Sequence, residues 1–202
     1  MIIIAIINFV IMLSTFFVMG YTYTLSIQPM KRSEKYGEKA WADCKRFRSI
    51  GGLAEFISIG TLIVWIWFPL PIVNDWIISS NIWIGIIIGL CILILGTYLM
   101  IRGIKDAGSE TLRPSKETKM YGGIYNYIRH PQTLGEFPMF PAFGFIFNSW
   151  FLVIISSIFI IIYTPIMIYY EEKDLVKRFG EKYIDYKKRT GVLFPKLRKK
   201  SK

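Results

Sequence analysis

The chain opens with MIIIAIINFVIMLSTFFVMGYTY, residues 1–23, and this stretch contains no charged side chain. An α-helix rises about 1.5 Å per residue, so a stretch of this length can cross the roughly 30 Å hydrocarbon core of a bilayer. A secretory signal peptide would carry a positively charged first region and a small-residue cleavage site, and this stretch has neither. We therefore expect a retained membrane-spanning helix here.

Two further apolar stretches follow. Residues 50–73 contain Glu55 as their one charged residue, and residues 76–101 contain none. Hydrophobic residues make up 53% of the chain, and the mean hydropathy is +0.41. Both stretches are long enough to span a bilayer, and we expect each of them to be a transmembrane helix.

The segment 131–170 is also apolar, with Glu136 as its one charged residue. It has about twice the length that one spanning helix needs, which predicts a helical hairpin. The reversal is expected at residues 147–150, where Trp150 would lie at the membrane interface. The sequence thus predicts an all-α integral membrane protein with about five transmembrane helices.

The basic residues are confined to three segments. The net charge is +11, and all 25 lysine and arginine residues lie within 24–48, 102–129 and 173–202. Cytoplasmic loops are enriched in Lys and Arg, so this asymmetry predicts an external N-terminus and a cytoplasmic C-terminus in the cell membrane. The positive charge is then a signal of topology, and we expect no nucleic-acid partner.

Cysteine and histidine are too few to suggest a disulfide or a metal site. Cys44 falls in the first predicted cytoplasmic segment, which is a reducing environment, and Cys91 falls inside the third apolar stretch. The chain contains one histidine, and a site of the zinc type needs several His or Cys ligands. We therefore expect no metal.

The C-terminal segment carries an apolar stripe. Leu175, Phe179 and Tyr183 recur at every fourth residue of an otherwise charged stretch that is expected to form a helix from Glu171 onward. This helix would lie along the membrane surface or would close a pocket.

The sequence divides into two predicted regions. The first, 1–101, contains three spans and the linker 24–49. The second, 102–202, contains the loop 102–130, the hairpin 131–170 and the C-terminal helix and tail 171–202.

Polar groups collect where the hairpin begins. Pro131 suits the first position of a helix, where its missing N–H would have no partner. The free N–H groups of that turn, with Arg129 and His130 beside them, would form an anion site for a carboxylate or phosphate. Alternatively, Arg129 extends to the interface and His130 caps the helix. The adjacent Glu171 and Glu172 need cationic or hydroxyl partners at a membrane boundary. A ligand with both charges could therefore bind the anion site with its negative group and the paired acids with its positive group.

Glu55 and Glu136 are each expected about one helical turn inside a span, near the cytoplasmic leaflet. Either each carboxylate pairs with a Lys or Arg of a loop, or it orients a substrate head group or accepts a proton from it. Glu136 and Arg129 are therefore our candidate catalytic residues.

Several motifs then occur in order between residues 123 and 195. Their order and spacing resemble the isoprenylcysteine carboxyl methyltransferase and phospholipid methyltransferase superfamily. The motifs are Gly123-Ile124-Tyr125, Arg129-His130-Pro131, Glu171-Glu172, Phe179-Gly180-Glu181, Tyr183-Ile184-Asp185-Tyr186 and Gly191-Val192-Leu193-Phe194-Pro195.

The resemblance implies a multi-pass enzyme that binds S-adenosylmethionine in a cytoplasmic pocket, which a loop and the C-terminal helix close. The methyl acceptor would be lipophilic and would come from the bilayer. By position, the implied cofactor contacts are Met120, Tyr125, His130, Pro131, Gln132, Thr133, Glu171 and Glu172.

Three departures from the superfamily pattern are visible. Residues 117–120 replace a His-x-Leu-Val-like stretch, so that Met120 alone keeps its apolar character, and Thr133 replaces a tyrosine. Residues 163–167 lack the arginine that fits a substrate carboxylate in the prenylcysteine enzymes. The resemblance therefore supports methyl transfer more strongly than it supports an isoprenylcysteine acceptor.

Two other functions stay open. One is an NADPH-dependent sterol-type reductase of similar membrane fold, and the other is a non-enzymatic membrane protein such as a small channel or assembly factor. The spans lack the repeated polar faces of a pore, which argues against a channel. A reductase would need a basic site for the 2′-phosphate, which could come from Arg102, Lys105, Arg113, Lys116 and Lys119.

Overall fold

The computed structural model of the chain describes residues 1–115 and 120–196, which are helical without strands. The described ranges contain three short 3-10 turns, Pro71–Val73, Gly108–Thr111 and Gly123–Asn126. The α-helices, in chain order, are α1 (Ile2–Ser26), α2 (Pro29–Tyr36), α3 (Lys39–Val64), α4 (Ile82–Ala107), α5 (Pro131–Glu136), α6 (Met139–Ile146), α7 (Trp150–Phe179) and α8 (Glu181–Arg189).

Four helices of the described chain, α1, α3, α4 and α7, are long and apolar enough to cross a membrane. Many of their large apolar side chains are exposed, as expected for surfaces that contact lipid. The three apolar stretches of the N-terminal half correspond to α1, α3 and α4. The prediction of an all-helical, multi-pass protein is therefore confirmed at this level, while the membrane orientation stays a prediction.

The first half of the predicted hairpin is not one long helix. It consists of the short helices α5 and α6, which are separated by Phe137 and Pro138. Proline has no N–H to donate and its ring clashes with the preceding turn, so Pro138 ends the helical hydrogen-bond pattern. The reversal lies at residues 147–149, as predicted, and Asn148 adopts a φ of 53° there. The described residues thus contain four helices that are long and apolar enough to span a membrane, and the predicted fifth span is broken into two short helices.

A common apolar core joins the N-terminal and C-terminal helices. Met12 and Phe16 of α1, Leu62 of α3, Phe140 of α6 and Leu152 of α7 are almost completely buried in one cluster. The Phe16 and Phe140 rings contact edge to face, with their centroids 5.5 Å apart. This packing fixes the broken hairpin against the first two long helices.

Helix α4 packs closely on α5 and α6 through a glycine face. A Cβ atom at Gly89 would lie 2.6 Å from the Ala142 carbonyl oxygen, and one at Gly103 would lie 2.7 Å from Gln132 Cγ. Both distances are too short for a side chain, so glycine allows this approach. The end of α4 is thereby placed against the start of α5, where the candidate site lies.

The C-terminal helix does not begin at Glu171, as the sequence suggested. Helix α7 continues without a break from Trp150 to Phe179, and Gly180, with a φ of +59°, ends it. Nothing between 166 and 179 disfavours a helix strongly, whereas glycine tolerates the left-handed conformation that terminates one. Helix α8 then turns back over the beginning of α5.

Candidate functional site

Arg129 and His130 meet the paired acids of α7. His130 Nδ1 lies 2.9 Å from Glu171 Oε2, and His130 Nε2 lies 3.2 Å from Glu172 Oε1. Arg129 Nε donates to the same Glu172 oxygen over 2.6 Å, and Lys187 Nζ lies 2.7 Å from the other. The cations beside the first turn of α5 therefore face carboxylates of the protein, and the anion expected at this place is supplied by the chain itself.

His130 is held as an imidazolium. Burial alone would lower its pKa, but the negative charge of Glu171 and the hydrogen bonds to Glu171 and Glu172 outweigh burial and raise the pKa from 6.5 to about 9. Both ring nitrogens have a carboxylate acceptor, an arrangement that requires both to carry a proton. The side chain thus bridges the start of α5 and the middle of α7 as a cation.

We expect the stability of the protein to fall as the pH rises from about 6.5 to about 9. The pKa of His130 is raised in the folded state, so its stabilising contribution is complete below the unfolded-state pKa and is lost as the pH passes the folded-state pKa. Thermal unfolding of the detergent-solubilised protein across this range measures the effect. The variant His130→Gln should flatten the profile, and an unchanged slope in this variant would contradict the assignment.

Helix α8 and the following residues close over the same place. Arg129 Nη1 donates to the carbonyl oxygens of Lys187 (3.1 Å) and Thr190 (2.6 Å), and Tyr186 Oη donates to the Tyr125 carbonyl oxygen (2.6 Å). The backbone N–H of Arg129 donates to the carbonyl oxygen of Gly191. The guanidinium of Arg129 is buried and engaged in these contacts, so it holds α8 and Thr190 against the start of α5. The catalytic role suggested for it stays a prediction without support from its surroundings.

These elements surround a cavity with an empty volume of about 930 Å³, which includes the open solvent at its mouth. We call it the upper cavity. Its walls come from α1, α3, α5, α7 and α8 and from the loops around residues 110 and 121. Of the eight cofactor contacts suggested by sequence, it brings together six, namely Met120, Tyr125, His130, Gln132, Thr133 and Glu171.

The other two suggested contacts lie behind this wall. Pro131 is buried and packs on α4, where its ring approaches Gly103. Glu172 does not line the cavity, and its side chain is 9% exposed beneath Arg129, His130 and Lys187. The adjacent acids therefore differ, since Glu171 is 29% exposed and faces the cavity while Glu172 holds its wall.

A buried arginine that the motifs did not indicate also lines the upper cavity. Arg178 Nη1 pairs with Glu110 Oε1 at 2.7 Å, and its guanidinium lies over the rings of Trp41 and Phe179 at 5.3 Å and 5.1 Å. Arg178 Nε and Nη2 are buried and have no hydrogen-bond partner among the described residues. Buried donors of this kind are costly unless a ligand satisfies them.

The upper cavity has aromatic walls beside its charged groups. The rings of Tyr121 and Tyr125 lie 4.8 Å apart, and Tyr125 Oη accepts a hydrogen bond from Gln132 Nε2 at 2.9 Å. The apolar stripe predicted for the C-terminal segment, Leu175, Phe179 and Tyr183, also lines this cavity. An aromatic ring and several charges of both signs can therefore be bound together here.

A second cavity, the lower cavity, lies deeper among the long helices and has an empty volume of about 660 Å³. Glu55 of α3, Glu136 of α5 and Tyr163 of α7 line it. The sequence suggested functional roles for the two acids separately, and the structure places both of them on the lining of this one cavity. The lower cavity shares four lining residues with the upper one: Tyr23, Arg48, Thr111 and Gln132.

One of the five basic residues considered for a reductase site is already paired with an acid. Arg102 lies 3.5 Å from Asp106, so the charge of that arginine is paired on its own helix. Lys116 and Lys119 lie outside the described residues, as does most of the 117–120 stretch that departs from the superfamily pattern.

Comparisons with known proteins point to membrane methyltransferases. The family model for phospholipid methyltransferase matches residues 84–182. Methanethiol S-methyltransferase of Pseudomonas deceptionensis is 30% identical, over 68% of this chain and 55% of that protein. Protein-S-isoprenylcysteine O-methyltransferase of Saccharomyces cerevisiae is 27% identical, over 93% of this chain and 78% of that protein.

The fold is also similar to that of a solved structure, the eukaryotic intramembrane Ras methyltransferase (isoprenylcysteine carboxyl methyltransferase). The TM-score is 0.52 at 22% sequence identity, covering 91% of this chain and 64% of that chain. This likeness concerns the fold alone. The chain spans little more than half the length of two methanethiol S-methyltransferases that it matches, 55% in each case.

Proposed function

We propose that the chain, which the family model for phospholipid methyltransferase matches over residues 84–182, transfers a methyl group from S-adenosylmethionine to a lipophilic acceptor. The reaction would occur at the cytoplasmic face of the membrane, as the distribution of lysine and arginine suggests. One observation carries this proposal: a single cavity gathers six of the eight side chains suggested as cofactor contacts.

The chemistry of the upper cavity fits this cofactor. S-adenosylmethionine combines a sulfonium, an amino group, a carboxylate and an adenine ring. Glu171, which is partly exposed to the cavity, would attract the cationic groups, and the free donors of Arg178 would bind the carboxylate. Tyr121 and Tyr125 would contact the adenine ring. A cavity lined with charges of one sign would not offer this combination.

The bound cofactor would supply a methyl group on a positively charged sulfur, which leaves readily and needs no activation by a protein nucleophile. The task of the chain is then to align the acceptor with the methyl group and to exclude water, which contributes about 7–11 kcal/mol when orientation is near ideal. Helix α8, fixed to Tyr125 by Tyr186, would cover the cavity and exclude solvent from it.

The lower cavity would receive the acceptor. It lies among α1, α3, α5 and α7, three of which are long and apolar enough to span the membrane. A lipophilic acceptor would therefore enter the lower cavity from the bilayer, between the long helices. The polar cofactor would enter the upper cavity from the cytoplasm. The four shared lining residues mean that the two cavities adjoin.

Calorimetric titration of the detergent-solubilised protein with S-adenosylmethionine tests the proposal. We expect binding to the wild type and at least a roughly 10-fold loss of affinity in Glu171→Gln, because a charge-assisted contact is removed. Glu34→Gln is the matched control, since Glu34 is an exposed acid that pairs with Lys177 outside the cavity. Folded protein that shows no binding at millimolar cofactor would refute the proposal.

A further inference from the structure

Helix α4 carries an acidic side chain in its last turn. Asp106 is the second-to-last residue of α4 and lies close to the negative end of the helix dipole. A carboxylate is disfavoured at this place unless another group stabilises it. Arg102, one turn earlier, lies 3.5 Å from Asp106 but is 53% exposed, so this ion pair contributes little. The acid therefore needs a stronger partner elsewhere in the fold.

That partner is the backbone of a later turn. Asp106 Oδ2 accepts a hydrogen bond from the N–H of Ile124 over 2.7 Å. A bond to an ionised acceptor is stronger than one between neutral groups. It joins the end of α4 to the 3-10 turn Gly123–Asn126, which precedes α5. Asp106 thus fixes a turn that belongs to a distant part of the chain.

Gly123 leaves the room that this contact needs. It adopts a φ of +60°, a conformation that residues with a side chain rarely adopt. A Cβ atom at this position would also overlap the carboxylate of Asp106. The missing side chain of Gly123 therefore both permits the turn and makes space for the acid that holds it.

The turn held by Asp106 carries Tyr125, an aromatic wall of the upper cavity. Tyr125 is 6% exposed, and its ring lies 4.8 Å from that of Tyr121. The backbone is held from two sides, because Asp106 binds the N–H of the preceding residue and Tyr186 Oη donates to the Tyr125 carbonyl oxygen. Asp106 is not among the described residues that line the upper cavity. Its effect on a ligand must therefore pass through the turn.

From these contacts we infer that Asp106 is a positioning residue, which sets the place of the Tyr125 ring and thereby the affinity for the adenine ring of S-adenosylmethionine. This inference rests on the proposed function. A ring that already has the orientation needed by the ligand binds it more tightly, because ordering a mobile side chain on binding costs free energy. Without the carboxylate, the N–H of Ile124 would lose its acceptor and the turn would lose this tether to α4.

Calorimetric titration with S-adenosylmethionine tests the role of the carboxylate. Asp106→Ala should bind the cofactor roughly 10-fold more weakly or worse, which corresponds to the loss of one hydrogen bond to a charged group. Asp106→Asn keeps an oxygen that can accept from Ile124, so its affinity should stay within about 3-fold of the wild type. Wild-type affinity in Asp106→Ala would overturn the inference. So would a loss in Asp106→Asn as large as that in Asp106→Ala.

Arg102→Gln is the matched control. It removes the ion pair with Asp106 and leaves the hydrogen bond to Ile124 in place. We expect its affinity for S-adenosylmethionine to stay within about 2-fold of the wild type. A loss equal to that of Asp106→Ala would show that the acid acts by pairing with Arg102, and would overturn the inference.

A double-mutant cycle separates a positioning role from a general structural one. Tyr125→Ala removes the ring through which Asp106 is inferred to act. Adding Asp106→Ala to this variant should then cost little further affinity for S-adenosylmethionine. Losses that add fully in the double variant would overturn the inference, since they would show an effect that does not depend on Tyr125.

Adenosine, used as a competitor, shows which half of the cofactor is affected. Asp106→Ala should weaken adenosine and S-adenosylmethionine by the same factor, because both contain the adenine ring. Arg178→Lys should leave the affinity for adenosine unchanged, since adenosine lacks the carboxylate that Arg178 would bind. Adenosine that fails to displace S-adenosylmethionine from the wild type, or that is unaffected by Asp106→Ala, would overturn the inference alone. A wild type that binds neither ligand would refute the proposed function and this inference with it.

Discussion

Glu172→Gln should destabilise the protein by about 3–5 kcal/mol, because it leaves the buried guanidinium of Arg129 without its counter-charge. Arg129 is 7% exposed and lies 2.6 Å from Glu172, so it cannot turn to water. Lys187, which is 37% exposed, can do so and adds little. Reversible unfolding of the detergent-solubilised protein measures this loss. Affinity for S-adenosylmethionine should fall as well, since His130 loses one of its two anchors.

The neighbouring acid provides the control for this prediction. Glu171→Gln removes the same charge one residue earlier, but Glu171 is 29% exposed and contacts His130 alone among the cations described. We expect its effect on the free energy of unfolding to be smaller than that of Glu172→Gln, because Glu172 contacts Arg129, His130 and Lys187. The double variant Arg129→Gln, Glu172→Gln should lose less stability than the sum of the single variants, because the two charges are removed together. Equal losses for Glu171→Gln and Glu172→Gln would contradict the division of roles.

Arg178→Gln should also destabilise the protein, by roughly 1.5–3 kcal/mol, because the buried charge-assisted contact between Arg178 Nη1 and Glu110 Oε1 is lost. Arg178→Lys should behave differently. Lysine retains the positive charge, so stability should be largely preserved, but it lacks the two guanidinium donors that have no partner within residues 1–115 and 120–196. We therefore expect Arg178→Lys to lose roughly 10-fold or more in affinity for S-adenosylmethionine while it remains folded.

Calorimetry and unfolding on the same preparations separate these two effects. The adjacent Lys177→Gln is a suitable control, because Lys177 pairs with Glu34 on the surface and should change stability by less than about 1 kcal/mol. Arg178→Lys with wild-type affinity would show that the free guanidinium donors do not contact the cofactor.

The long helices could be predicted because the signal is local. An uncharged stretch of sufficient length, such as 1–23, has few alternatives to a spanning helix, and α1 confirms it. The prediction of one long helix at the start of the hairpin was wrong, because the structure has two short helices there. Hydropathy alone does not show that Pro138 interrupts a helix. The start of the C-terminal helix was misplaced for a related reason, because a change from apolar to charged residues at Glu171 does not break a helix.

The candidate site could be predicted only where one motif supplied several neighbouring side chains. Residues from Tyr125 to Thr133 are close in sequence, so their arrival at one cavity follows from one turn and one short helix. Arg48, Glu110 and Arg178 were missed because their contacts join distant segments, and no local pattern marks them. The position of Glu55 and Glu136 on one cavity was missed likewise, since it depends on how the distant helices α3 and α5 are placed in the fold.

Helix α7 provides a wall for both cavities, and this has a practical consequence for protein engineering. Tyr163 and Leu175 belong to the same helix and are separated along it by roughly 18 Å at 1.5 Å per residue. A replacement at Tyr163 that tilts or rotates the whole helix would move Leu175 with it. Substitutions on this helix that are meant to change the proposed acceptor site would therefore also alter the proposed binding of the methyl donor.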